Sequence, residues 1–227
     1  MHRSVHHGAI LLVFGSLQFI VAMIVTQTGY GSSYSLTQNY ISDLGATTCG
    51  TVSGLVGTSG GHYVCSPWHD VFNVSIIILG LLIILAVLLL RTAFPARRSR
   101  TIGLVLLALA GAGAIGVGLF PENVNIDAHV IASTIAFVGS AFALGVLGLA
   151  MFRDTRWDGF RAYTMLSGLV TLVALILFVA KTDGALGVGG MERLIVAPIL
   201  LWAIVVGLHL ERIPTFAPRT ISKASTG

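Results

Sequence analysis

The sequence predicts an all-α fold: a polytopic integral membrane bundle of six transmembrane helices, with a short amphipathic surface helix in the first outer loop. Three observations predict it. Of the 227 residues, 55% are hydrophobic and only 10% are Asp, Glu, Lys or Arg, against about 25% charged residues in soluble domains. The apolar residues gather in runs of about 20, the length that crosses a bilayer as a helix. The basic residues gather in alternate connections between those runs, which is how a membrane chain signals its orientation. The chain reads as a single membrane domain over residues 1–227, with no linker or low-complexity tract.

Met1 to His7 is a short polar start with Arg3 and three histidines, His2, His6 and His7. The run behind it, about 8–26, is too long for a leader and lacks a small-x-small cleavage signal, so it reads as a retained first helix. Gln18 near its centre is expected to bond across to a neighbouring helix, because an amide in hydrocarbon needs a partner. Thr28 to Pro67 is a long loop, rich in Gly, Ser, Thr and Tyr, without a single Lys or Arg. Ser35-Leu36-Thr37-Gln38 fits a capping box. Leu36, Tyr40, Ile41 and Leu44 then share one face of a short helix, with Asn39 and Asp43 on the other and Gly45 just past the end. Such a helix is expected to lie along the membrane surface, apolar side down. The remainder, Thr47 to Ser66, reads as a glycine-rich flap.

Five further spans follow, at about 68–90, 101–120, 126–152, 162–180 and 191–210. Trp68 suits an interface position. Ala108 to Ala114 in the third span is almost wholly small residues, which lets helix backbones approach closely. Trp202 and Pro198 lie inside the sixth span, the proline as a kink point. The tail from Glu211 to Gly227 is polar.

Eleven of the 13 Lys and Arg fall in the N-terminus, the 91–100 and 153–161 connections and the tail; only Lys181 and Arg193 lie on the other side. The positive-inside rule then places both termini in the cytoplasm of a multi-pass cell-membrane protein. The net charge of +4 belongs to loops facing anionic lipid headgroups, so nucleic acid is not the expected partner; membrane lipid is. Cys49 and Cys65 both lie in the non-cytoplasmic loop, and a disulfide between them is the simplest reading. Closing that loop is worth about 3 kcal/mol on the chain-entropy scale.

Six of the nine carboxylates fall on the same outer side: Asp43, Asp70, Glu122, Asp127, Asp183 and Glu192. His69 and Asn73 share one face of the second helix, and His129 and Ser133 one face of the fourth. Ionisable groups just inside a bilayer usually face the bundle interior and mark a functional site. Asp43, His69 and His129 are therefore the candidate catalytic residues, with Ser42, Asn73, Glu192 and Arg193 as candidate ligand contacts. Two imidazoles and a carboxylate, His69, His129 and Asp43, would also suit a divalent metal such as zinc; the same groups without metal would serve as general acid and base. Ser42 beside Asp43 would be a nucleophile only with an activating base, and none stands next to it. The plainer reading is an outer ion-pair network, Asp43 or Glu192 with Arg193, that fixes the loop on the bundle. His62 in the flap, His209 and the N-terminal histidines are expected to be solvated.

Tyr40-Ile41-Ser42-Asp43-Leu44-Gly45-Ala46, Ser66-Pro67-Trp68-His69 with Phe72-Asn73, Phe120-Pro121-Glu122 before His129, and Glu192-Arg193 before Trp202 carry a resemblance over roughly Gly8 to Leu210. Together they resemble the uncharacterised six-helix membrane family catalogued as domain of unknown function 998. The chain is also distantly similar to the DRAM and Frag-like membrane families, some of which take part in remodelling lipid anchors, so the resemblance implies a lipid-related role by analogy. The cysteine-bearing insert Thr47 to Cys65 departs from the family pattern.

The leading expectation is an outward-facing polar cavity that binds or processes a lipid or other amphiphile by hydrolysis or group transfer, with Arg193 holding a phosphate or carboxylate and His69 or His129 moving the proton. The alternatives are a non-enzymatic binding or scaffold protein whose outer cluster is structural, and a small-molecule transporter. The last is disfavoured because no span carries a charge at mid-membrane.

Overall fold

The computed structural model describes residues 2–31, 33–53 and 61–213. Its elements are α1 (His2–Thr28), β1 (Gly50–Val52), β2 (His62–Val64), α2 (His69–Leu90), α3 (Arg98–Leu119), α4 (Ile126–Ala150), α5 (Phe160–Val179) and α6 (Gly187–Arg212). All six α-helices are long and apolar enough to cross a membrane. Their outward positions carry large apolar side chains, among them Phe14, Leu88, Ile131 and Leu166, each more than half exposed; in a bilayer that surface meets lipid tails.

The helices form a ring in which each touches its sequence neighbours and α6 closes back on α1. Short connections between successive helices make those neighbours antiparallel. One end of the ring therefore carries the arginine-rich connections, and the other carries the segment between α1 and α2 with its disulfide. α4 also touches α6, which leaves α5 outside the wall of the central space.

Small residues set the helix spacing. A methyl added to Gly80 on α2 would lie 2.3 Å from the Gly111 carbonyl of α3, and one added to Gly113 would lie 2.5 Å from the Ala136 amide of α4. The Ala108–Ala114 run thus lets α3 contact both neighbours at backbone distance. Gln18 donates from Nε2 to the Ser75 carbonyl of α2 at 2.9 Å, the cross-helix bond expected of it. The Trp202 indole donates to Thr164 Oγ1 on α5 at 2.9 Å.

The arginine-rich end is more packed than the sequence suggests. His209 was expected to be solvated; instead its ring stacks on Phe160 at 3.7 Å, tilts against Trp157, and bonds the Arg156 carbonyl through Nε2 at 2.8 Å. His6 pairs with Glu211 at 2.6 Å. An aromatic layer seals that end of the ring, and an imidazole fits it because one edge is apolar and the other polar. The side chain of His2 and the tail beyond residue 213 lie outside the described residues.

The segment between α1 and α2 differs most from expectation. Ser35 does cap a turn, accepting from the Gln38 amide at 3.3 Å, but the amphipathic helix is reduced to one 3-10 turn, Ser42–Gly45, and all four of its residues are buried. It sits in the mouth of the ring, packed against α1 and α2. The flap is an antiparallel hairpin that pairs Gly50 with Val64 and Val52 with His62. The Cys49–Cys65 disulfide closes its base, and Ala46, Val52 and Val64 form a small core beneath it. Residues 54–60 of the flap are outside the described residues.

Candidate functional site

The buried 3-10 turn is held by side chains from three directions. From α2, Asn73 donates to the Gly45 carbonyl at 2.9 Å, and Ser66 just before α2 donates to the Leu44 carbonyl at 2.7 Å. From α6, Glu192 accepts the Ile41 amide. From the α3–α4 connection, Asn123 accepts the Thr47 amide at 3.0 Å and donates to the Thr47 and Thr48 hydroxyls. Buried backbone groups must be paired, and here polar side chains do it because the segment has no long helix or sheet of its own.

Arg193 belongs to the same lock. Its Nη1 donates to the carbonyls of Leu36, Asn39 and Gly189, and its Nη2 to the Tyr34 hydroxyl at 2.6 Å. Tyr34 in turn donates to the Tyr40 carbonyl at 2.8 Å. Burial pushes the Tyr34 hydroxyl above its ordinary range, with the Arg193 guanidinium opposing the push. The sequence offers Arg193 either as an anion clamp or as the partner of Asp43 or Glu192. Among the described residues it forms no ion pair with either; its partners are carbonyl oxygens, which no side-chain pattern reveals.

Asp43 is fully buried. Its Oδ2 accepts from Asn39 Nδ2 at 2.8 Å and from the Tyr40 amide at 3.1 Å. Its Oδ1 lies 2.7 Å from Nε2 of His62. His62 is therefore not a solvated flap residue: strand β2 carries it onto Asp43, and its Nδ1 is buried without a partner. Glu122 completes the group. It is 2% exposed, with Ser42 and Asp43 beside it, and neither of its oxygens has a partner at ordinary hydrogen-bond geometry. Burial pushes the Glu122 carboxyl well above the usual carboxylate range, and the Asp43 carboxyl adds to the push. One donor atom each from Asp43, His62 and Glu122 lies within 4.8 Å of the others.

The other predicted residues are placed differently. His69 Nδ1 bonds the Ser66 carbonyl at 2.8 Å and its Nε2 lies 3.4 Å from Asp70. It trims the start of α2 and does not enter the Asp43 group. His129 donates from Nδ1 to the Phe120 carbonyl at 2.9 Å; a carbonyl accepts only, so Nδ1 carries a proton, and in the neutral ring Nε2 is then the acceptor. Its ring, with Ser42, Ser133 and Glu192, lines the top of a cavity enclosed by α1, α2, α3, α4 and α6. The metal set read from sequence, His69, His129 and Asp43, is not assembled; among the described residues the assembled group is Asp43, His62 and Glu122. Asp70 and Asp127 are exposed.

The cavity measures about 90 Å³. It reaches from Glu192 to Ala203 on α6 and from His129 to Ser140 on α4, a depth of roughly 16 Å at 1.5 Å per residue, or about half the hydrocarbon thickness. Below its polar mouth the wall is apolar apart from the hydroxyls of Ser16 and Ser140. Ser140 turns back to the Phe137 carbonyl, whereas the buried Ser16 hydroxyl has no partner. A groove of about 150 Å³ between α1 and α6 lies alongside, and Ile41, Val196 and Leu200 line both spaces.

His62 and Glu122 are the residues sequence reasoning missed. The signals were present but weak: His62 stands three residues before a disulfide cysteine, and Glu122 in a Phe-Pro-Glu turn. No curated protein and no solved structure matches the chain. The family model described as Protein of unknown function (DUF998) matches residues 13–209, a range that holds the 3-10 turn, the hairpin, Glu122, His129 and Glu192. This multi-pass membrane protein therefore belongs to that family.

Proposed function

We propose that the protein binds a membrane amphiphile, with its tail in the central cavity and its polar head at Ser42, His129, Ser133 and Glu192. The observation that carries this reading is the distribution of polarity in the cavity: a base and a carboxyl at one end and an apolar shaft below, the pattern of a site for a molecule polar at one end only. The groove between α1 and α6 supports lateral access from the lipid phase, since three side chains separate it from the cavity. His129, with Nε2 the acceptor in its neutral ring, is the group placed to take a proton from a headgroup or from water.

The scaffold alternative is supported for a different set of residues. Asn73 and Ser66 donate to the loop backbone, Arg193 to backbone carbonyls and the Tyr34 hydroxyl, and Asn39 to the Asp43 carboxylate, so these four hold the mouth in shape. The disulfide face is the outer face of the cell membrane on this reading, with both termini cytoplasmic, in line with the arginine-rich opposite end.

The test is lipid extraction from protein purified in mild detergent without added lipid, followed by mass spectrometry, for the native chain and for Ser16→Leu. That substitution fills the shaft with apolar volume and removes an unpaired hydroxyl. The expected result is one amphiphile class enriched over the bulk membrane in the native protein and absent from the variant. Bulk lipid composition in both would refute the reading.

A further inference from the structure

We propose that Asp43, His62 and Glu122 form a site for one divalent transition-metal ion of the zinc type on the disulfide-bearing face. The proposal does not rest on the amphiphile reading.

The donor set is two carboxylates and one imidazole, a combination that suits zinc and its first-row neighbours better than calcium or magnesium. Its three members come from three separated parts of the chain: the 3-10 turn, strand β2 and the α3–α4 connection. Their donor atoms lie within 4.8 Å of one another. Ligands about 2.0–2.1 Å from zinc stand roughly 3.4 Å apart in a tetrahedron, so closure on an ion needs shifts on the order of 1 Å.

Three features separate this group from an incidental polar contact. Neither Glu122 oxygen has a partner at ordinary hydrogen-bond geometry although the residue is 2% exposed and Ser42 and Asp43 stand beside it, which is costly for a carboxyl unless something else satisfies it. Asp43 is oriented from behind by Asn39 and the Tyr40 amide through Oδ2, leaving Oδ1 toward His62. Such outer bonds are what fix a metal-binding carboxylate. Among the described residues no Lys or Arg pairs with either carboxyl, and Arg193, on the same face, is engaged with backbone carbonyls and Tyr34. A divalent cation would supply the missing positive charge.

Access is provided as well. A polar cleft of about 310 Å³, lined by Thr48, Thr51, Ser53, Asn123 and Glu122 among others, leads from the surface to Glu122. Three protein ligands leave a fourth position for water, and Ser42, beside Glu122, also lines the cavity mouth.

The test uses the full-length protein in detergent, stripped with chelator and then titrated with zinc chloride. Bound metal is measured by elemental analysis after desalting. His2, His6 and His7 are replaced by glutamine in a control chain, so that terminal imidazoles do not contribute. The expected result is one zinc per chain in both the native protein and that control. Glu122→Gln and His62→Gln, made in the control chain, should each weaken binding at least about tenfold. If Glu122→Gln does not fold, His62→Gln decides, since His62 sits on a disulfide-closed hairpin whose core is Ala46, Val52 and Val64. Absence of stoichiometric zinc in the native protein, or equal binding in the ligand variants, would overturn the proposal.

Discussion

Replacing Arg193 separates two roles that an arginine at a cavity mouth can play. Nη1 has two hydrogens and faces three carbonyls, so one hydrogen is shared; with the Tyr34 bond, the side chain makes about three independent charge-assisted hydrogen bonds. Bonds of this kind contribute about 1.5–3 kcal/mol each when buried. Arg193 is half-buried, so roughly 1 kcal/mol each is the sounder figure, and Arg193→Met should lose about 3 kcal/mol. Arg193→Lys keeps the charge but not the fork, and should recover about a third of that loss. The loss should be local. Amide hydrogen exchange in detergent should show residues 34–45 exchanging on the order of a hundredfold faster in Arg193→Met, with the α3 and α4 amides unchanged. An arginine whose task is to clamp an anionic headgroup predicts no change in the ligand-free protein. Exchange within about twofold of native in that segment would refute the lock.

Two further outcomes follow from the packing and from the arginine-rich end. Gly80→Ala should cost about 1–3 kcal/mol, because its methyl meets the Gly111 carbonyl at 2.3 Å and backbone cannot rotate away. Gly145→Ala, where nothing lies within 4 Å, should be neutral or mildly stabilising, and thermal unfolding of the two variants side by side checks the contrast. Asp154 is held below the usual carboxylate range by its hydrogen bonds from Arg156. A depressed carboxyl pKa contributes stability above the unfolded value and loses it as pH falls through the folded one. Asp154→Asn should therefore reduce stability at neutral pH by no more than about 1 kcal/mol, as for surface pairs, and the difference from native should vanish once acid protonates the native carboxyl.

The sequence was most legible where one force dominates. Six apolar runs became six helices because hydrocarbon leaves the backbone no other way to satisfy itself, and Gln18 found a cross-helix partner for the same reason. The run of small residues in α3 was readable as close packing. The mouth of the ring was not readable to the same degree. Leu36 to Gly45 has the periodicity of a surface helix, but periodicity assumes one wet face. Here Leu36 to Gln38 stay exposed while Tyr40 to Gly45 are buried, the latter held by Asn73, Ser66 and Glu192, and tertiary bonds replace helical ones. His62 looked like a flap residue because the hairpin pairing that turns it toward Asp43 is a long-range event. Arg193 was ambiguous because carbonyl oxygens are carried by every residue and leave no trace in composition. The cavity could not be foreseen from its wall: Ala110, Ala114 and Ala136 look the same in sequence whether the space beyond them is filled or empty.

The hairpin carries a consequence for how the molecule matures. Lipid and apolar contacts assemble the helices, but the imidazole that faces Asp43 is delivered by a covalent staple, which forms only where thiols are oxidised. Chain made in a reducing host would insert its helices and pass tests of helicity while that imidazole stayed adrift. The choice of production compartment thus decides whether a sample carries the finished mouth or only the barrel beneath it.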